Sequence, residues 1–266
     1  MAPGPAHDDA SGEVGEAKAA PTIQTVQRAA LILDSFTVGQ PFLSLNEITS
    51  RLGASKATAH RYTKALRAAK LLRYDERTAL FSLGPHVLSL AATARAGLPI
   101  VAAAEPHMAK LVKLLDETVV LSVWDGESPT VVRSADNTDQ LIRISVRAGA
   151  RLDLLTSAQG RVFCAFLPAE QVPSLSRSLR RSPELRAELE AIREHGVSVN
   201  SPTISGVRTI AAPIFEGNQP VAAMAVIGTT VRIPDDIGSE VAVALLATTR
   251  LLSQQLGNAD GPDSDA

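Results

Sequence analysis

The chain has 266 residues, with 45% hydrophobic, 20% charged and 3% aromatic side chains and a formal charge of −2. That length accommodates one large or two modest domains, and the composition excludes wholesale disorder, collagen-like repeats and a disulfide scaffold. A single cysteine, Cys164, forms no internal bridge, and no apolar run approaches the ~18–20 residues that span a bilayer.

The first 21 residues are acidic and rich in Ala and Gly, unlike a basic, apolar signal peptide, and are expected to be a disordered tail carrying −3. A cytoplasmic protein is expected. From Thr22 to Pro85 the balance changes to +5, with nine Lys/Arg against four acids. A basic segment on a neutral to acidic chain is the charge footprint of a polyanion binder.

Within that segment VQRAALILDSF places Val26, Ala29, Ala30, Leu33 and Phe36 at helical spacing, and Gly39 and Pro41 end the helix. Ser44 stands as an N-cap with Glu47 three residues on, a capping box opening the short helix LNEITSRL, which stops at Gly53. A longer helix starts at Ser55. Its inner stripe is Ala59, Tyr62, Leu66 and Ala69; its outer stripe is Lys56, Ala57, His60, Arg61, Lys64 and Arg67. LLRYDERTALFSLG then alternates around Asp75-Glu76-Arg77-Thr78 as a β-hairpin.

This order is that of a winged helix-turn-helix over 22–85. A helix fits the major groove and reads base edges, while a basic hairpin lays Arg73 and Arg77 on phosphates. The DNA-facing set is Ser44, Ser55, Lys56, Ala57, Thr58, His60, Arg61, Lys64, Arg73 and Arg77.

Residues 86–97 read as a connecting helix, broken at Leu98-Pro99 before IVAAAEPHMAKLVKLLDET. Strands are expected at VVLSVWDG, TVVRSA and LIRISVRAG, and a helix over about Ser157–Phe166. A helical pair around Ala169–Leu179 and Pro183–His195 follows. Strands VRTIAAPIFEG and PVAAMAVIG, joined at Gly217-Asn218, precede a last helix over about Pro234–Leu256. Residues 98–256 thus form an α+β domain, and 257–266 a second acidic tail.

In this order and spacing, IQTVQRAALILDSF, SLNEITSRLGASKATAHRYTKAL, FSLGP, LAATARAGLP, VWDG, GARLDLLTSAQGRVFCAFLP, GVRTIAAPIFEGNQPVAAMAVIG and the final helix resemble the isocitrate-lyase-regulator (IclR) family of bacterial transcription factors. The resemblance covers nearly everything from Ile23 to Leu256. It implies a winged helix, a dimerising linker helix and a GAF-like α/β effector-binding domain. It further implies a homodimer or homotetramer that binds a palindromic double-stranded operator, as a repressor more readily than as an activator. Where the family commonly reads Pro-Lys-Ser-Thr-x-His-Arg, this chain has Ser55-Lys56-Ala57-Thr58-Ala59-His60-Arg61, one hydroxyl fewer.

The effector domain departs further. Where oxo-acid-binding members resemble one another in polar groups, this chain carries Leu155, Val199, Thr209, Ala225 and Ile227, and Asn200-Ser201-Pro202 replaces an acidic run. A carboxylate without donors there is costly to bury. A largely apolar pocket and a hydrophobic effector are expected; the alternative is a domain that has lost its ligand and only oligomerises.

Trp124 reads as pocket wall or core, and Ser157, Ala158, Gln159 as a ligand-facing helix start, with Ser157 equally a plain N-cap. Cys164, between Phe163 and Phe166, reads as an inert buried thiol. No metal spacing and no G-x-S-x-G, P-loop or G-x-G-x-x-G motif is present, so neither a cofactor nor an enzyme is expected.

Overall fold

The computed structural model describes residues 24–37, 39–136, 144–200 and 206–258. The expected tail 1–21, most of the tail 257–266, part of the LIRISVRAG strand and Ser201-Pro202 lie outside them. The chain divides after Thr93 into two compact units.

The first unit holds α1 (Gln24–Asp34), β1 (Leu43–Ser44), α2 (Leu45–Leu52), α3 (Lys56–Ala68), β2 (Leu72–Asp75), β3 (Leu80–Leu83) and most of α4 (Pro85–Ala96). Its core joins Ile32, Phe36, Leu43, Ile48, Ala59, Tyr62, Leu66, Leu72 and Phe81. The inward stripe of α1 is Ala29, Ile32, Leu33 and Phe36, whereas Val26 and Ala30, expected inside, are exposed. Five consecutive apolar residues, Ala29 to Leu33, leave the phase of the stripe undetermined, and packing chose Ile32. On α3 the expected Ala69 is exposed at the C-cap, and buried Thr63 stands inside, its hydroxyl donating to the His60 carbonyl at 3.0 Å.

β1, β3 and β2 form one antiparallel sheet, in which β2 and β3 are the wing, with Tyr74 opposite Phe81. Gly84 closes the wing against the end of α3. A Cβ there would lie 2.1 Å from the Lys70 carbonyl oxygen, so only glycine permits this approach.

The second unit contains α5 (Pro99–Leu115), β4 (Thr118–Trp124), β5 (Pro129–Ala135), α6 (Ala158–Phe166), α7 (Pro173–Arg181), α8 (Pro183–His195), β6 (Ser198–Asn200), β7 (Val207–Glu216), β8 (Gln219–Thr229) and α9 (Glu240–Asn258). The sheet order is β5-β4-β8-β7-β6, antiparallel throughout.

Alternation along the strands separates two faces. Val119, Leu121, Ile210, Ala212, Met224 and Val226 meet α5 and α9 on one. On the other, Ala211, Ala223 and Ala225 are small enough to let α6 lie close, through Ala158, Val162 and Phe163. The molecule is therefore α+β, a helix-turn-helix unit followed by a sheet with helices on both faces.

Three expectations are corrected. The described end of LIRISVRAG is not strand: Ile144 and Val146 turn inward as an extended cover over Val120, Val131 and Ile227. The Ala169–Leu179 helix is a 3-10 turn at Ala169–Gln171 followed by α7. The last helix starts at Glu240 instead of Pro234, because Ser239 accepts the Ala242 N–H at 3.3 Å as its cap. No single helix among the described residues is long and apolar enough to cross a membrane.

Candidate nucleic-acid interface and effector face

The cap of α2 is reciprocal: the Ser44 N–H and hydroxyl each donate to Glu47 Oε2 at 2.7 Å, and the Glu47 N–H donates to Ser44 Oγ at 3.3 Å. These bonds, the Ser44 N–H foremost, hold the Glu47 carboxyl below its ordinary range. Arg51 then ties α2 back to the Ser35 carbonyl and to Gln40. Ser44, placed in the DNA-facing set, is thus occupied in the cap.

Gly53 at φ 60° turns the chain into Ser55, which caps α3 by accepting the Thr58 N–H at 3.3 Å; its hydroxyl also bonds the Thr58 hydroxyl at 3.0 Å. Both hydroxyls are therefore engaged at the helix start. Lys56, Ala57, His60, Arg61 and Lys64 are all exposed on one side of α3, opposite the buried Ala59, Tyr62 and Leu66.

Arg73 is exposed on β2 and Arg77 in the wing turn, where its N–H donates to Asp75 Oδ1 at 2.9 Å. Arg67, absent from the set, lies 5.1 Å from the Tyr74 ring, whose centroid is 4.7 Å from that of the tilted Phe81 ring. It joins the recognition helix to the wing. The one signal in the sequence was its place on the outer stripe, one turn beyond Lys64.

In the second unit, paired rows of residues cross the sheet on the α6 side. Asn200, Thr209, Ile227 and Thr118 form one row, and Ser198, Ala211, Ala225, Val120 and Ser134 the next. Ile227, Val120 and Val131 cluster with Ile144, Val146, Leu152 and Val207, an apolar face covered by the 144–152 segment. The Oγ atoms of Ser134 and Ser198 are buried without a hydrogen-bond partner. Those of Thr118 and Ser122 are used, by the Ile144 carbonyl and by Gln159 Nε2 at 2.8 Å. Arg151, Arg161 and Arg208 are each held by carboxylates, of Asp125 and Glu127, of Glu188 and of Asp235.

The structure brings Thr209 and Ile227 together on this face and puts Ala225 beside them, fully buried beneath α6. Leu155 and Val199 are not brought there. Leu155 packs into the cluster between α6 and α8, because Asp153 accepts the Leu155 and Thr156 N–H groups at 2.9 and 2.7 Å and turns the chain. Val199 pairs with Ile210, so the pleat sends it to the α5–α9 face.

Ser157 is an N-cap: its hydroxyl accepts the Gly160 N–H at 2.9 Å and donates to the Asp153 carbonyl. Ala158 and Gln159 are buried in the packing of α6 on the sheet. Gly160 allows that packing, since a Cβ there would lie 2.3 Å from the Leu154 carbonyl oxygen.

Trp124 is half-buried, 5.6 Å from Phe163, and also walls a groove of about 370 Å³ with Leu98, Pro99 and Ile100. Cys164 is buried and its thiol is pushed up to about 12 by burial, the pattern of an inert side chain. Among the described residues no cluster of His, Cys, Asp or Glu could hold a metal.

Residues 25–76 match the IclR helix-turn-helix domain, and residues 92–254 the bacterial transcriptional regulator IclR C-terminal domain. The chain belongs to the IclR family of transcriptional regulators.

It is 24% identical to the transcriptional repressor IclR of Escherichia coli over 97% of this chain and 98% of that protein. An ICLR transcriptional regulator from Silicibacter sp. TM1040 superposes with a TM-score of 0.77 at 26% identity, covering 91% of this chain and all of that one. An IclR homologue from Microbacterium hydrocarbonoxydans, solved with 4-hydroxybenzoate, has the same fold, with a TM-score of 0.71 at 18% identity over 87% and 98% of the two chains. The family consists of regulators, not enzymes.

Proposed function

We propose that this regulator binds a palindromic operator in the cytoplasm as a dimer or dimer of dimers, as a repressor, and that a hydrophobic effector controls it. The domains are 22–85 for DNA, 86–97 as linker and 98–256 for effector and assembly. The observation that carries the reading is the exposed row Lys56, His60, Arg61 and Lys64 on a helix locked by its caps, with Arg73 and Arg77 on the wing beside it. In B-DNA such a row reaches base edges and phosphates, and the wing clamps the neighbouring backbone.

Dimerisation is assigned to the apolar side chains that the first unit leaves in solvent: Val26 and Leu31 on α1, and Leu88 and Leu90 on α4, a helix with no buried residue. Two recognition helices related by that symmetry read two half-sites about one DNA turn apart.

The effector reading rests on the face around Ile227. Its inward side chains are apolar or hydroxyl-bearing apart from Asn200, whose amide donates to the Thr156 carbonyl, and the guanidinium groups of Arg151 and Arg161 are already paired. This environment favours a ring or acyl chain with at most one polar group, for which Ser134, opposite Val120, stands unpartnered. That a neighbour of the same fold holds 4-hydroxybenzoate supports an aromatic ring as part of the ligand.

Binding must favour one arrangement of the two DNA-reading units over the other, or no switch results. The test combines Lys56→Ala, Arg61→Ala and Lys64→Ala in one chain. Duplex binding is expected to disappear while the helical signal in circular dichroism and the oligomer persist; retained binding refutes the assignment of α3. Tight, carboxylate-dependent binding of pyruvate or glyoxylate refutes the apolar effector.

A further inference from the structure

We propose that a groove at the far end of β7 is a second small-molecule site, separate from the effector face and suited to a planar aromatic carboxylate. β6 pairs with β7 only from Thr209 to Ala211, so beyond that point β7 is the edge of the sheet. The groove there encloses about 420 Å³ between the end of α8, the end of β7 and the second half of α9. That volume lies within the range of small-ligand sites, ~300–1,000 Å³. Phe166 and Phe215 form one wall, edge to face with ring centroids 5.2 Å apart, and Pro213 and Leu246 extend the apolar surface.

Two guanidinium groups stand at this wall against one carboxylate, that of Glu194. Arg193 is held in place because its Nε donates to the Ala165 carbonyl at 2.6 Å, which leaves both terminal nitrogens for a bidentate partner. Arg250 is exposed and carries no ion pair or hydrogen bond among the described residues. An apolar wall of two rings set edge to face, flanked by two guanidinium groups against one carboxylate, matches an aromatic ring bearing a carboxylate.

The edge itself is closed to an added peptide strand. Pro213 has no N–H, and the Phe215 N–H donates to Ser253 Oγ at 2.9 Å, a hydroxyl that itself donates to the Thr249 carbonyl at 2.8 Å. A small ligand therefore fits where a strand does not. The site is also remote from the effector face, since Pro213 and Phe215 are four and six residues along β7 from Thr209, ~13–20 Å at strand spacing.

The experiment titrates the full-length protein with 1-naphthoate and with neutral 1-naphthamide by calorimetry. Saturable binding of naphthoate is expected, with naphthamide about tenfold weaker or worse. Arg250→Gln, an exposed substitution that leaves the fold intact, is expected to weaken naphthoate about tenfold, and Ile227→Trp, which fills the effector face, to leave it unchanged.

The proposal is overturned by no saturation up to ~10 mM, by equal binding of the amide, or by binding that is lost in Ile227→Trp and kept in Arg250→Gln. It is equally overturned if Arg250→Gln changes sedimentation but not naphthoate affinity, which would make the groove an interface between copies.

Discussion

Individual side chains on α3 divide into those that build the reader and those that read. Ser55 builds: its hydroxyl satisfies one of the unpaired N–H groups at the helix start, and Ser55→Ala is expected to cost about 0.5–2 kcal/mol in denaturant unfolding with DNA specificity unchanged. Lys56 and Lys64 are point charges suited to phosphate, so each Ala substitution should reduce the salt dependence of binding by about one counterion without altering base preference. Arg61→Ala is expected to cost ~1–3 kcal/mol and to relax preference at one position of each half-site if its fork reads a base. A uniform loss over all sequences would instead make Arg61 a phosphate contact.

Asp153 acts at the same scale in the second unit. Its carboxyl is held below the ordinary range first by the Thr156 hydroxyl, then, against burial, by the Thr156 and Leu155 N–H groups. A depressed folded value contributes stability in full above the unfolded value of 3.8 and loses it as the pH falls through the folded one. Acid should therefore loosen the 153–156 turn first. Protection factors of the Leu155 and Thr156 amides, taken relative to intrinsic exchange at pH 3 and at pH 6, check this, and Asp153→Asn is expected to abolish the difference in protection.

At the scale of elements, chemistry confined to a few adjacent residues was legible in sequence, and phase within apolar runs was not. Ser44 with Glu47, Gly53, Ser55 and Ser157 all mark ends where expected, because a cap is a bond between near neighbours. The stripe of α1 was misplaced because Ala29 to Leu33 are all apolar, and only the core decides which of them is inside. Alternation at Ile144 and Val146 was read as strand, yet the same period serves an extended segment that lays one side on a sheet without pairing. The resemblance puts Val199 near the effector, and its pairing with Ile210 turns it toward α5 and α9.

Two glycines test how tightly these elements are joined. Gly84→Ala and Gly160→Ala each press a Cβ onto a backbone carbonyl, of Lys70 and Leu154 respectively, and each is expected to lower stability by ~1–3 kcal/mol or more. Gly84→Ala should also impair DNA binding, since the wing closes there against the end of α3.

A palindromic operator requires a symmetric molecule. The positive charge is concentrated in residues 22–85, while the rest of the chain is neutral to acidic, so each copy presents one basic surface. Leu88 and Leu90, 74% and 49% exposed on α4, are the surface expected to be covered by a second copy. Leu88→Glu with Leu90→Glu should shift sedimentation toward monomer and weaken operator binding far more than half-site binding.

Selecting duplexes from a random pool with the purified full-length protein at near-physiological salt tests whether it is a symmetric, sequence-specific reader of DNA. An enriched inverted repeat whose half-sites are centred about one helical turn apart is expected. Enrichment of no consensus, with binding that only tracks salt, would contradict it.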